Sequence, residues 1–213
     1  MKKQLSLNPW INIWVKPRKT IQELVQYNVN YRLITICGLY GFLHILYFLL
    51  KSPYLEKAIE LKNYNSLASL IIGSLIFAIP AGYILVNLTS LFLFLAGKLI
   101  KAKGSFKEVR AAFYWSTIPI IPSLVILNIF MIVFAKQFEM FQEATVTPQS
   151  FSLFIFFGFT QLFFGFWSFI VTLKSLAQVQ GFSAWMGLLN YFFAFIIATI
   201  FSLVVFGAVS IFT

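Results

Sequence analysis

Five stretches without a Lys, Arg, Asp or Glu dominate this chain: Leu33 to Leu50, Leu67 to Leu95, Ala112 to Ala135, Phe151 to Leu173 and Ser183 to Phe212. A bilayer with a hydrocarbon core of about 30 Å is crossed by roughly 20 helical residues. The apolar runs are continuous rather than alternating, and lipid offers no partner to an open sheet edge, so the spans are predicted to be helices. Composition agrees, with 60% of the 213 residues hydrophobic, 19% aromatic and only 10% charged, against about 25% charged in a soluble domain. The expected fold is an all-α membrane protein, a bundle of five transmembrane helices. Residues 1–30 would form a cytosolic Trp-rich amphipathic anchor with a short interfacial helix, and residues 31–213 the transmembrane domain.

The first apolar run follows about 32 residues that carry six cations, and no small-residue cleavage pattern comes after it. It is expected to stay in the protein as a span rather than to act as a removable signal peptide. Orientation follows from the cations in the connections. One side collects twelve of them: Lys2, Lys3, Lys16, Lys19, Lys98, Lys101, Lys103, Lys107, Lys174, Arg18, Arg32 and Arg110. The other holds Lys51, Lys57, Lys62 and Lys136, with four of the six acids, Glu56, Glu60, Glu139 and Glu143. This asymmetry predicts a cytoplasmic N-terminus and an external C-terminus. The net charge of +10 thereby becomes a property of the cytosolic face, where each basic residue near an anionic leaflet is worth about 1 kcal/mol. Anionic lipid headgroups are the expected acidic partner. Nucleic acid is not, since the cations are scattered over short connections without a binding module.

Local signals mark the ends of helices. Trp10 and Trp14, four residues apart in Asn8-Pro9-Trp10-Ile11-Asn12-Ile13-Trp14 and followed by Arg18 and Lys19, read as an anchor at the water–bilayer boundary. Thr20-Ile21-Gln22-Glu23 has the form of a capping box and predicts a helix start at Thr20, and Ser105-Phe106-Lys107-Glu108 predicts another. The second apolar run of 29 residues would extend roughly 43 Å as one helix, and Pro80 followed by Gly82 predicts a kink in it. In the third run Pro119 and Pro122 free the carbonyls of Trp115 and Ile118, which Ser116, Thr117 or another helix must satisfy. Gln180-Gly181-Phe182-Ser183 predicts a tight turn between the last two spans. Gly158 and Gly165 fall near one helical face and predict close approach of another helix there.

At this point the chain resembles a known family. Asn8-Pro9-Trp10 with Ile13-Trp14 and Pro17-Arg18-x-Thr20-Ile21 is similar to the N-terminal signature of bacterial members of the Yip domain family, named for the Ypt-interacting proteins of eukaryotes. Gly104-Ser105-Phe106-Lys107-Glu108-Val109-Arg110-Ala111-Ala112, leading to Trp115-Ser116-x-x-Pro119, is a second match, and Ala177-x-Val179-Gln180-Gly181-Phe182-Ser183-Ala184-Trp185 a third. The resemblance implies the same layout of five spans and a bacterial inner membrane location. Eukaryotic members are associated with prenylated Rab-type GTPases and vesicle traffic. Where relatives often carry a glycine pair, this chain has Lys101-Ala102.

The chemistry available is sparse. His44 is the one histidine, Cys37 the one cysteine, aspartate is absent, and no Glu lies in the five spans. No cofactor and no metal are therefore expected, nor is catalysis, since a nucleophile, base or metal must converge. A Ser116–His44 pair is the nearest approach to a hydrolase. The expected function is a non-catalytic scaffold or adaptor that engages anionic lipid, and a membrane or cytosolic protein partner, through Trp10, Trp14, Arg18, Lys19, Lys101, Lys103, Lys107 and Arg110. The alternative is a small permease or lipid-handling protein built on the Pro-broken second and third helices, with His44, Pro80, Asn87, Ser116, Pro119, Pro122 and Gln161 as intramembrane polar and hinge residues.

Overall fold

A computed structural model describes residues 5–51, 64–134 and 147–212. Lys2, Lys3, Ala135 and the outer-side residues Glu56, Lys57, Glu60, Lys62, Lys136, Glu139 and Glu143 lie outside these. The described helices are α1 (Pro9–Val15), α2 (Pro17–Tyr27), α3 (Leu33–Leu50), α4 (Tyr64–Leu99), α5 (Phe106–Ser116), α6 (Ile121–Val133), α7 (Pro148–Gln180) and α8 (Ala184–Phe212), with a 3-10 turn at Ile118–Ile120 between α5 and α6. Among the described residues, five segments are long and apolar enough to cross a membrane: Leu33–Leu50, Ile71–Leu99, Phe106–Val133, Phe151–Gln180 and Ala184–Ser210. The first coincides with the predicted span. The second, third and fourth run past the uncharged windows to include Lys98, then Lys107, Glu108 and Arg110, then Lys174; a long lysine side chain can extend its ammonium to water without interrupting backbone hydrogen bonding.

The two predicted capping boxes fare differently. At Ser105 the box forms: Ser105 N–H and hydroxyl both donate to Glu108 Oε2 at 2.8 Å, and Glu108 N–H donates back to Ser105 Oγ at 3.4 Å. At Thr20 it does not. Helix α2 starts three residues earlier, with Pro17 in its first turn, where the fixed φ of proline already suits a helix. Thr20 therefore lies inside the first turn and its hydroxyl donates back to the Lys16 carbonyl at 2.9 Å. Glu23 instead accepts from Ser6 N–H at 3.2 Å and from the Ser6 hydroxyl at 2.7 Å, and that hydroxyl holds its carboxyl below the usual range.

In the third span the helix stops at Ser116 and resumes at Ile121. Pro122 deprives the Ile118 carbonyl of its usual donor, and the 3-10 turn supplies Ile121 N–H in its place. Ser116 does not serve the freed carbonyls. Its hydroxyl donates to Phe113 at 2.6 Å, the backward geometry usual for serine in a helix. By contrast α4 continues through Pro80. The last turn is as predicted: Gly181 takes a φ of +73°, Gly181 and Phe182 N–H both reach the Ala177 carbonyl at 3.1 Å, and Ser183 Oγ accepts from Met186 N–H at 3.3 Å.

The chain forms two compact units. The first comprises residues 1–33, 85–116 and 170–213, the second residues 34–84 and 117–169. In the first, Ile13, Ile21 and Leu24 of the N-terminal helices are buried together with Val109, Tyr114, Trp115 and Leu176. In the second, Leu46, Leu50 and Met131 form a core that Phe42, Tyr47 and Ile71 flank. Asn128 Nδ2 ties α6 to α3 by donating to the Leu43 carbonyl at 3.1 Å. Helices α3 and α4 meet backbone to backbone: a Cβ on Gly41 would come within 2.6 Å of the Gly82 nitrogen, and one on Gly82 would collide with the Cys37 carbonyl. Gly158 and Gly165, predicted to admit a neighbouring helix, face open space within 4 Å. Spacing along one helix cannot tell which small residues have a helix opposite them. Large apolar side chains such as Phe159, Phe166, Phe195 and Phe206 are exposed, as suits a lipid solvent.

Gly82→Ala should therefore lower stability, by about 1–3 kcal/mol for an overpacked contact that only backbone movement can relieve. Gly158→Ala should be neutral or slightly stabilising, since alanine is the better helix former. Thermal unfolding of the two variants in detergent checks the contrast.

Candidate functional site

Helix α5 lies in the second family-like segment and packs against the N-terminal one, Trp115 meeting Trp10. Its residues from Val109 to Ser116 are all buried, so even its polar side chains must find protein partners. Arg110 and Tyr114, one turn apart, share a face. The Arg110 guanidinium donates through Nη2 to Asn30 Oδ1 at 2.6 Å and through Nη1 to Asn87 Oδ1 at 3.1 Å. The Tyr114 hydroxyl lies 3.1 Å from the Val29 carbonyl and 2.9 Å from that of Tyr31. One turn of helix thus clamps the α2–α3 linker and joins it to α4. Arg110 was expected on the lipid-facing surface but is 8% exposed. Its partners are neutral amides, no carboxylate pairs with it among the described residues, its Nε is buried without a partner, and the guanidinium lies 5.8 Å from the Phe106 ring.

An aromatic cluster backs this clamp. Trp115, fully buried, meets Trp10 edge-on at 5.3 Å and stacks on Tyr31 at 6.2 Å. Trp10, read from the sequence as a lipid anchor, is half-buried against protein, as is Trp14. The apolar surface that the N-terminal segment leaves open is Ile11 and Val15, 66% and 68% exposed.

The third segment closes on the same unit. Lys103 N–H donates to the Gln180 carbonyl at 3.2 Å, and Gly104 is needed there because a Cβ would come within 2.8 Å of the Val179 carbonyl. Gln180 is itself buried, accepting from Asn190 Nδ2 at 2.8 Å and lying 3.5 Å from the Leu93 carbonyl. Thr172 Oγ1 donates to Ser116 Oγ at 2.8 Å.

Of the remaining predicted site residues, Arg18, Lys19, Lys101, Lys103 and Lys107 are exposed. His44, in the second unit, is half-buried and edge-on to Tyr40 at 4.3 Å, with Nε2 unpartnered. Gln161 donates to the Ser123 carbonyl at 3.0 Å, just after the break at Pro119 and Pro122. Pro80 is exposed. Asn87, Ser116 and Gln161, the polar groups from which a transport path was to be built, each already hydrogen-bond to protein. No cluster of three His, Cys, Asp or Glu forms among the described residues. Sequence reasoning missed Asn30, Tyr114 and Gln180. The available signal was Arg110-x-x-x-Tyr114, a cation and a phenol on one face of an otherwise apolar turn.

Removing an amide that serves the buried guanidinium should cost about 1.5–3 kcal/mol, against about 1 kcal/mol for a neutral hydroxyl. Asn87→Ala is accordingly expected to destabilise more than Tyr114→Phe in thermal unfolding, and two unchanged midpoints would contradict the clamp.

The Yip1 domain family matches residues 11–206. Neither a curated protein nor a solved structure matches the chain. The match begins inside the first of the three family-like segments, includes the other two and runs through the apolar helices, and on that basis the chain belongs to the Yip1 domain family of membrane proteins.

Proposed function

We propose that this chain is a non-catalytic scaffold or adaptor of the bacterial inner membrane, with its N-terminus in the cytoplasm and its C-terminus outside, engaging anionic lipid and a protein partner through its basic end. One observation carries this reading: every described Lys and Arg except Lys51 belongs to the first unit, and all of these except Arg110 are exposed. Cations gathered on one folded unit and left open are placed to meet an anionic surface. Exposed Ile11 and Val15, one turn apart on α1, add an apolar edge of the kind that enters the headgroup region or a partner's groove. The permease reading loses support because Asn87, Ser116 and Gln161 are engaged within the protein. So does the hydrolase reading, since Ser116 donates to Phe113 and accepts from Thr172.

The test is retention of phosphatidylglycerol against phosphatidylcholine by the full chain, read by mass spectrometry after purification from mixed nanodiscs. Replacing Lys101, Lys103 and Lys107 together by Gln should lower phosphatidylglycerol preference by on the order of 100-fold if three contributions of about 1 kcal/mol add, with the unfolding midpoint unchanged. Equal retention by wild type and triple variant would overturn the reading.

A further inference from the structure

Two residues other than glycine have a positive φ among the described residues, Arg32 and Lys101, both at 59°. Both are cations, both are exposed, both belong to the first unit, and each sits at an end of a helix long enough to cross the membrane. The left-handed region crowds Cβ against the carbonyl, and chains ordinarily fill it with Gly, or with Asn, whose short polar side chain tolerates it. At Lys101 the cap is otherwise ordinary: Lys101 N–H reaches the Lys98 carbonyl at 3.1 Å and Ala102 N–H the Gly97 carbonyl at 2.9 Å. A glycine would make the same bonds without the strain. At Arg32 the guanidinium lies 5.6 Å from the Tyr31 ring, and that ring is stacked on buried Trp115. What these side chains offer over glycine is a positive charge on a stem long enough to reach the headgroup layer.

We propose that Arg32 and Lys101 each hold the phosphate of an anionic phospholipid headgroup, their charge being kept in positions where the backbone favours glycine. The proposal rests on the lipid-binding reading above and narrows it to these two residues, only one of which the sequence marked. Arginine would take the phosphate through two parallel N–H bonds, lysine as a point charge. A membrane lipid is the assigned source rather than free phosphate, because both residues end membrane-length helices.

The experiment uses the full chain in mixed micelles, with phosphatidylglycerol titrated against phosphatidylcholine and thermal unfolding measured in phosphatidylcholine alone. Arg32→Gly and Lys101→Gly are each expected to raise the midpoint by about 2 °C while weakening phosphatidylglycerol binding about fivefold. Arg32→Gln and Lys101→Gln, which lose charge but keep the strain, should weaken binding without the gain in midpoint. Glycine variants that bind phosphatidylglycerol normally, or that are less stable than wild type, would overturn the proposal. Displacement of the lipid by an equal concentration of inorganic phosphate would overturn the assignment to lipid. A wild-type chain with no preference for phosphatidylglycerol would remove the underlying reading as well, an outcome distinct from normal binding by the variants.

Discussion

Arg110 places a cationic guanidinium where water hardly reaches it. Such a charge is tolerable only with hydrogen-bond partners in place. Here the partners are amides on two other segments, Asn30 in the α2–α3 linker and Asn87 in α4. The solvation of one side chain therefore depends on three distant parts of the chain coming together. With the linker held by Arg110 and Tyr114, Tyr31 stacks on Trp115, Trp10 meets Trp115 edge-on, and the Arg32 guanidinium lies near the Tyr31 ring. The N-terminal helices are thereby part of the folded first unit, with Ile13, Ile21 and Leu24 buried.

Elsewhere the same demand for satisfied polar groups meets a solvent that gives no hydrophobic drive between helices. Association then relies on close packing and on hydrogen bonds. The Gly41–Gly82 crossing supplies the first. Asn128 on the Leu43 carbonyl and Gln161 on that of Ser123 supply the second. At the break the 3-10 turn gives the Ile118 carbonyl the Ile121 N–H in place of the donor that Pro122 lacks.

What could be read in the sequence was what depends on neighbours along the chain. The apolar runs, the Ser105–Glu108 box, the Gly181 turn and the proline break are local, and the structure has them where the residues say. What failed depended on competition or on distant neighbours. Thr20 and Glu23 had the right spacing for a cap, yet Pro17 started the helix sooner and Ser6 claimed the carboxylate. Gly158 and Gly165 looked suited to packing, while Gly41 and Gly82, one to a helix, formed the actual crossing. Arg110 counted as one more surface cation because nothing near it in sequence reveals that Asn30 and Asn87 come to meet it. The Trp10 and Trp14 signal was ambiguous for a physical reason, since amphipathic rings suit both a headgroup layer and a polar–apolar seam inside a protein.

The proposed role requires that the folded basic unit face the cytosol and its anionic leaflet. Cys37 is the one cysteine and is buried, so a Cys37→Ala background leaves the chain free of thiols. On it, Lys103→Cys reports the exposed basic end and Lys51→Cys the end of α3 in the second unit. A membrane-impermeant maleimide applied to intact spheroplasts should label the Lys51→Cys variant at once and the Lys103→Cys variant only after permeabilisation. Labelling in the opposite order would contradict the account.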